Sequence, residues 1–276
     1  MDRRLALIVF TVIAPFATCF PSQLSAASAN QAKVTAAKNS VHLQDSKTPP
    51  RRASVNDTVN EQTVVRTGGG SHSELTFSDQ TVVRLAARTA FDFNDRTRGL
   101  NLKEGAILVQ APKNAHGATV HAGSVAAAVT GTTAMIEYHA GVYKFLVLEG
   151  TARLYRPGHL GDSVLVTAGQ MVFGNPEAAV TDPVDIDIDR FTKTSRFITD
   201  FPTLRSEQSI LTESRKQHRE KSNKTLADTN LVIFGGGTQV SLVGQEKSDS
   251  QGRTTAALVP PRPVPGLGRN AVPALP

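Results

Sequence analysis

The residues able to hold a metal ion or move a proton are few and scattered. Asp185, Asp187 and Asp189 stand as D-x-D-x-D. On an extended chain that spacing puts three carboxylates on one face, where they could share a hard cation. A calcium loop of the EF-hand type also needs a glycine next and a terminal glutamate. Arg190 and Arg196 occupy those two positions. The triplet therefore reads as an exposed strand face opposite Ile186 and Ile188, with no metal site. The histidines are His42, His72, His116, His121, His139, His159 and His218. Only Glu137 and His139 share strand spacing. A folded pocket could bring His116 or His121 to them, but no ligand motif demands it. Surface and turn positions are the expectation for these rings.

Other catalytic patterns also lack a required part. The carboxylates best placed for polymer cleavage are Glu74, Asp79, Glu104 and Glu137, and they fall in unrelated turns and strands. Gly68-Gly69-Gly70 and Gly235-Gly236-Gly237 are not followed by the Lys-Ser/Thr of a phosphate loop. Ser71-His72-Ser73 has no G-x-S-x-G around it. The sequence thus predicts no catalytic, metal or cofactor-binding residues, and Gly131-Thr132 reads as a tight bend between strands.

The elements that would position these residues are strands. Residues 64–174 repeat one unit: alternating apolar residues, a Gly-containing turn, then more alternation. Leu75 and Phe77 share one face while Glu74 and Thr76 take the other. Ser78-Asp79 turns the chain, and Val83 and Leu85 return to the core. Residues 143–148 are apolar on both faces, with Tyr143, Phe145 and Val147 against Leu146 and Leu148. That pattern predicts a central strand covered on both sides. The fold class is all-β: a rolled sheet or short solenoid-like stack of short strands, with a β-sandwich as the alternative. A strand over 184–189 is followed by Phe191, Thr194, Phe197, Ile198 and Phe201 at helical spacing, ended by Pro202. Residues 206–224 read as an exposed, weakly docked helix with Ile210 and Leu211 as its large apolar pair.

Composition and ends set the address. Arg3 and Arg4 precede an apolar run over 5–17, and Ala27 and Ala29 fit an A-x-A-like exit, so residues 1–29 read as a secretory signal peptide. The run is shorter than the roughly 20 apolar residues of a transmembrane helix, and no second long run follows. Phe16-Ala17-Thr18 does not suit lipidation of Cys19, the only cysteine. Cleavage near Ala29 would leave a chain without a thiol. Residues 30–52 are polar and close with Pro49-Pro50, and read as a disordered lead-in. The β module spans 53–175. A C-terminal extension over 176–243 carries the helices and a terminal strand pair, 231–234 and 240–243, around the second glycine triplet. Residues 244–276 form a proline-rich, polyproline-like tail. The formal net charge is +6 over 276 residues. The basic residues are scattered and form no block interleaved with aromatics. That argues against nucleic acid and suits mild attraction to anionic envelope polymers.

The order of short motifs in this module resembles the FecR domain of exported regulatory and envelope proteins of Gram-negative bacteria. The strand–Asp–turn–strand unit is matched by residues 79–85, ending in Arg84-Leu85. L-x-x-G is matched by 102–105 and V-x-G-T by 129–132. V-x-E-G-x-V is matched by 147–152, with Leu148 and Ala152 as departures, and A-G-Q by 168–170. The family's usual glycine after the turn aspartate is Gln80 here, so Gln80 must fill that turn without glycine's freedom. Ala134 replaces an aromatic. The resemblance implies a periplasmic or secreted module that binds a protein or glycan of the envelope in sensing or envelope organisation. It does not carry over sigma-factor control, because the N-terminus reads as a cleaved signal rather than a cytoplasmic segment. An enzyme acting on envelope polymer, or a purely structural assembly protein, are the competing readings.

Overall fold

Successive side chains of a strand point to opposite faces, and the alternation in this sequence sorts its strands into two stacked layers. The computed structural model describes residues 31–46, 48–94, 97–115, 117–221, 226, 227 and 229. In the first layer, sheet A, the spatial order begins with β4 (Thr58–Asn60), β1 (Gln31–Lys38), β6 (His72–Phe77) and β7 (Val82–Leu85). It continues through the second half of β9 (Gly99–Ala111), β12 (Thr132–His139), β13 (Val142–Glu149), β16 (Gln170–Gly174) and β17 (Val184–Asp185). Sheet B opens with β3 (Arg51–Arg52), β2 (Val41–Gln44), β5 (Val64–Thr67) and β8 (Ala90–Asn94). It goes on through the first half of β9, β10 (Ala118–Ala122), β11 (Val125–Val129), β14 (Thr151–Tyr155) and β15 (Ser163–Thr167). Among the described strand pairs only β9 with β10 is parallel, and an isolated parallel bridge joins Ile186 to Ala227.

The all-β expectation holds. From β10 onward the chain deals hairpins alternately to the two layers, β10–β11 to B, β12–β13 to A, β14–β15 to B and β16–β17 to A. It is a rolled stack pressed into two facing sheets. Between them lies the main core, where Val34, Leu75, Ile107 and Phe145 of sheet A meet Val65, Phe91, Val129 and Leu154 of sheet B.

β9 belongs to both layers, pairing with β8 and β10 at one end and β7 and β12 at the other. It changes layer at Gly105, the glycine of the L-x-x-G motif. Gly105 has φ +94°, and an added Cβ would stand 2.6 Å from Thr89 Cα and 2.7 Å from the Arg88 carbonyl oxygen. Backbone cannot yield as a side-chain tip does. We expect Gly105→Ala to cost about 2–3 kcal/mol through backbone strain, read as a lower urea midpoint with an unchanged slope. An unchanged midpoint would show that this crossing tolerates a side chain.

Gln80 sits at φ 69° in the turn between β6 and β7, as its place in the motif requires. It is also put to use: Arg205 Nη2 donates to its Oε1 at 2.6 Å.

Three expectations are corrected. Within the disordered lead-in assigned to 30–52, residues 31–46 and 48–52 are built structure, because Ala32 and Val34 alternate with Lys33 and Thr35 and insert β1 between β4 and β6. The described structure therefore already includes a strand from Gln31, ahead of the expected 53. The strand over 184–189 stops after Asp185, because the Asp187 side chain accepts from the Arg190 amide and caps a helix, α1 (Ile188–Thr194). The single amphipathic helix expected through Phe201 is two, α1 and α2 (Arg196–Thr199), broken at Ser195, which caps the second. The terminal strand pair at 231–243, the tail at 244–276 and the leader at 1–29 lie outside the described residues.

The third helix, α3 (Glu207–Glu220), docks more firmly than its sparse apolar content implied. Gln217 is buried, its amide donating to the Ile186 carbonyl at 2.6 Å and its Oε1 accepting from the Ile188 amide at 3.2 Å. The three helices cover the outer face of sheet A. A second core forms there from Leu108, Met135, Leu146, Leu148 and Met171 under Ile188, Phe191, Phe197, Leu204 and Ile210. Strand β13 is thus covered on both faces, with Phe145 in the inter-sheet core and Leu146 under the helices.

Candidate functional site

The outer face of sheet A carries two charged pairs, each set by strand register. Glu74 on β6 lies opposite Arg84 on β7, and Glu137 on β12 opposite Lys144 on β13. Opposite charges facing across a ladder are the favourable arrangement. Arg84 Nε donates to Glu74 Oε2 at 2.8 Å, and Nη1 donates to the Phe197 carbonyl at 2.6 Å. Nη2 donates to the Pro202 carbonyl, and the guanidinium carbon lies 4.8 Å from the centre of the Phe201 ring. One fully buried arginine therefore binds the sheet to the segment that follows α2. Burial lowers its pKa and Glu74 opposes that shift.

Between this clamp and the Glu137–Lys144 pair runs a groove of about 680 Å3. Its floor is apolar, formed by Ala86, Ala106, Met135, Phe191 and Phe197, and its rim carries His72, Glu137, His139, Lys144 and Arg196. Lys144 Nζ stands 2.6 Å from Glu137 Oε2 and donates to the Thr229 carbonyl at 3.1 Å. His139 Nε2 lies 3.3 Å from Glu137 Oε1. This joins the Glu137 and His139 that strand spacing had paired. His121 stands apart on β10 of sheet B, and His116 lies outside the described residues.

His72 packs on Phe201 with ring centres 4.6 Å apart, and its Nδ1 is 3.6 Å from Asp200 Oδ2. Burial lowers its pKa below 6.5; Asp200 opposes this, while Lys38 and Arg196 add to it. The unfolded chain then takes up this proton more readily than the folded one. Stability should fall as pH drops from about 7 toward 5, through the ordinary imidazole range. His121 shifts in the same direction through burial and adds to the slope. Chemical denaturation across that range should show a weaker pH dependence for His72→Phe than for the native chain. An identical slope would remove His72 from the account.

The remaining candidate residues are structurally engaged. Asp79 pairs with Arg98 at 2.5 Å and caps its own turn by accepting from the Thr81 amide. Glu104 is exposed on β9. Ser71 Oγ accepts from the Ser40 amide at 3.0 Å, and Ser73 Oγ donates to the Ala36 carbonyl at 2.8 Å, so both hydroxyls serve backbone. In the aspartate triplet, Asp185 pairs with Lys221, Asp187 caps α1 and Asp189 pairs with Lys193. A cap and two separate ion pairs replace the shared face. Among the described residues no group of three or more His, Cys, Asp or Glu could hold a metal ion. His42 lies on β2, His159 in the turn before β15, and His218 near the end of α3.

A polar recess of about 350 Å3 escaped the sequence reading. Lys113, Glu149, Gln208, Thr212 and Glu213 line it. Burial raises the Glu149 pKa and Glu213 adds to that, against Thr133 and Lys113. The E-G pair at 149–150 marks a strand end, and nothing nearby in sequence shows that α3 will bring Glu213 to it.

Residues 63–153 match the family model described as FecR protein. No curated protein matches the sequence. Two similar crystal structures are each described as a "putative anti-sigma factor" from Parabacteroides distasonis ATCC 8503. The first has 16% identity and a TM-score of 0.39, with 45% of this chain and 59% of that chain covered. The second has 13% identity and a TM-score of 0.39, with 50% of this chain and 75% of that chain covered. The likeness thus spans little more than half of the first structure's length.

Proposed function

We propose that this chain is a non-catalytic, exported FecR-like module that binds a protein or glycan of the cell envelope. The FecR match covers the strands that form most of the groove wall, and the groove itself carries the reading. Its apolar floor and rim of mixed charge suit a ligand segment that buries a few side chains and pairs its polar groups at the edge. The candidate carboxylates favour binding over catalysis, since Glu74, Asp79 and Glu137 are each held by a cation of the fold itself. Phe191 and Phe197 do not reach out to a partner as free anchors, because they dock the helices to sheet A. They shape the groove instead.

Photoreactive residues placed at Ala87 or Thr194, in the groove, should capture the partner in cells. The same residue at Leu160, at a fully exposed turn, should not. Equal capture at all three positions, or none, would sink the reading. Export is part of the proposal: the mature N-terminus should lie near Asn30, and intact Met1 or acylated Cys19 in mass spectra would overturn it.

A second reading, an enzyme acting on envelope polymer, draws on the Glu149 recess. A carboxyl whose pKa is raised by burial, beside a second carboxylate, is an acid–base arrangement. Polymer breakdown by the native chain that is lost in Glu149→Gln would replace the binding proposal.

A further inference from the structure

We propose that the polar recess beside Glu149 binds a small zwitterion, an amino acid or dipeptide that carries both an ammonium and a carboxylate. The site is separate from the groove and does not depend on it. Strand register builds it. Gln110 on β9 faces Thr133 on β12, and Thr133 faces Glu149 on β13. Further along the same three strands, Leu108, Met135 and Leu146 lie under the helices. One polar row therefore stands at the end of an apolar face, and α3 begins over it. Thr133 Oγ1 lies 2.7 Å from Ser206 Oγ and 3.0 Å from Glu149 Oε2. The Ser206 hydroxyl is thereby drawn to the sheet and makes no cap bond, so the first-turn amides of α3 have no side-chain acceptor from their N-cap.

Two adjoining spaces open on this row, of about 350 and 210 Å3, and they share Lys113, Glu149 and Ser209. Glu213 and Thr212 line the larger, Arg205 and Gln110 the smaller. Gln110 is 5% exposed, and its Oε1 has no hydrogen-bond partner among the described residues. Lys113 is brought in across Gly131, the glycine of V-x-G-T, where a Cβ would stand 2.8 Å from Lys113 Cγ. Among the described residues Lys113, Arg205, Glu149 and Glu213 form no ion pair, whereas Glu74, Asp79 and Glu137 each have one. Two cations and two carboxylates thus border one space without closing on each other. A lone anion would meet Glu149 and Glu213, and a lone cation would meet Lys113 and Arg205. A zwitterion satisfies both signs. Its carboxylate would lie toward Lys113 and the start of α3, where the helix favours negative charge. Its ammonium would lie toward Glu149 and Glu213. Burial raises the Glu149 pKa, and a ligand ammonium would offset that. A ligand N–H would also give the Gln110 oxygen its missing donor.

Calorimetric titration of the full chain with the dipeptide Ala-Ala, its N-acetyl form and its C-terminal amide provides the test. The native chain should bind Ala-Ala about tenfold more tightly than either blocked peptide, the loss expected for one charge-assisted contact. Lys113→Met should erase the advantage over the amide and keep the advantage over the acetylated form. Glu213→Gln should do the reverse. Misfolding would weaken all three peptides alike, so this crossed pattern reports the site itself. Equal affinity of the native chain for Ala-Ala and either blocked form would overturn the proposal, and so would no binding of any of them. Tighter binding of glucose than of Ala-Ala would make this a sugar site instead. Cleavage of Ala-Ala during the titration would also overturn it, by making the recess catalytic.

Discussion

Arg84→Ala should destabilise the protein by about 3–5 kcal/mol, the usual loss when one member of a buried ion pair is removed. Glu74 would be left with an uncompensated charge under the helices, its side chain only 11% exposed. The Phe197 and Pro202 carbonyls would lose their charged donor as well, and hydrogen bonds to charged groups are each worth about 1.5–3 kcal/mol. Arg84→Lys should recover the Glu74 contact but not the fork that reaches both carbonyls, so it should fall between the two. Arg84→Met with Glu74→Leu should cost less than Arg84→Ala alone, because it removes both charges together. Guanidinium midpoints at constant slope would measure all three. A loss below about 1 kcal/mol for Arg84→Ala would show that the clamp contributes little beyond a surface pair.

Phe145→Ala should cost about 3–5 kcal/mol and Leu146→Ala about 2–5 kcal/mol, from lost burial plus the cavity left behind. The two neighbours should fail differently. Phe145 is 1% exposed between the sheets, and its truncation loosens the contact that holds both layers, so it should lower the global midpoint. Leu146 is fully buried against the helices. Its truncation should also speed amide exchange in α1 and α2 ahead of the strands, since it opens the core those helices share with sheet A. Matching exchange maps for the two variants would mean that the helical layer and the sandwich unfold as one.

Strand β13 was legible because apolar residues on both faces leave a single physical solution, cover on both sides. The turn at Gln80 was legible because its motif fixed the backbone whatever the side chain. Strand β1 was hidden by small residues: Ala32 and Val34 alternate correctly, but Ala36 and Ala37 carry little hydrophobic signal, and the bulge between Val34 and Ala36 breaks the period. The aspartate triplet misled because period-two spacing says nothing about a side chain that turns back to cap a helix; the apolar pair Ile188 and Phe191 was the available counter-signal. The clamp was not readable at all. Arg84 meets Glu74 through a hairpin, but its carbonyl partners lie 113 and 118 residues further along. The groove has the same character, assembled from residues 71 to 229.

The margins of the two sheets bear on how this protein behaves when crowded. An exposed sheet margin offers unpaired amides and carbonyls to any other strand. Here β3 and β17 are two residues long and β4 is three, and β3 is a pair of exposed arginines. Such short or charged borders give a neighbouring molecule almost nothing to zip against. Among the described edge strands the exception is β15, five residues long, with Leu165 half exposed. If concentrated solutions of this protein form side-by-side aggregates, the seam should start at β15. A lysine at Leu165 should then raise the concentration at which light scattering first appears.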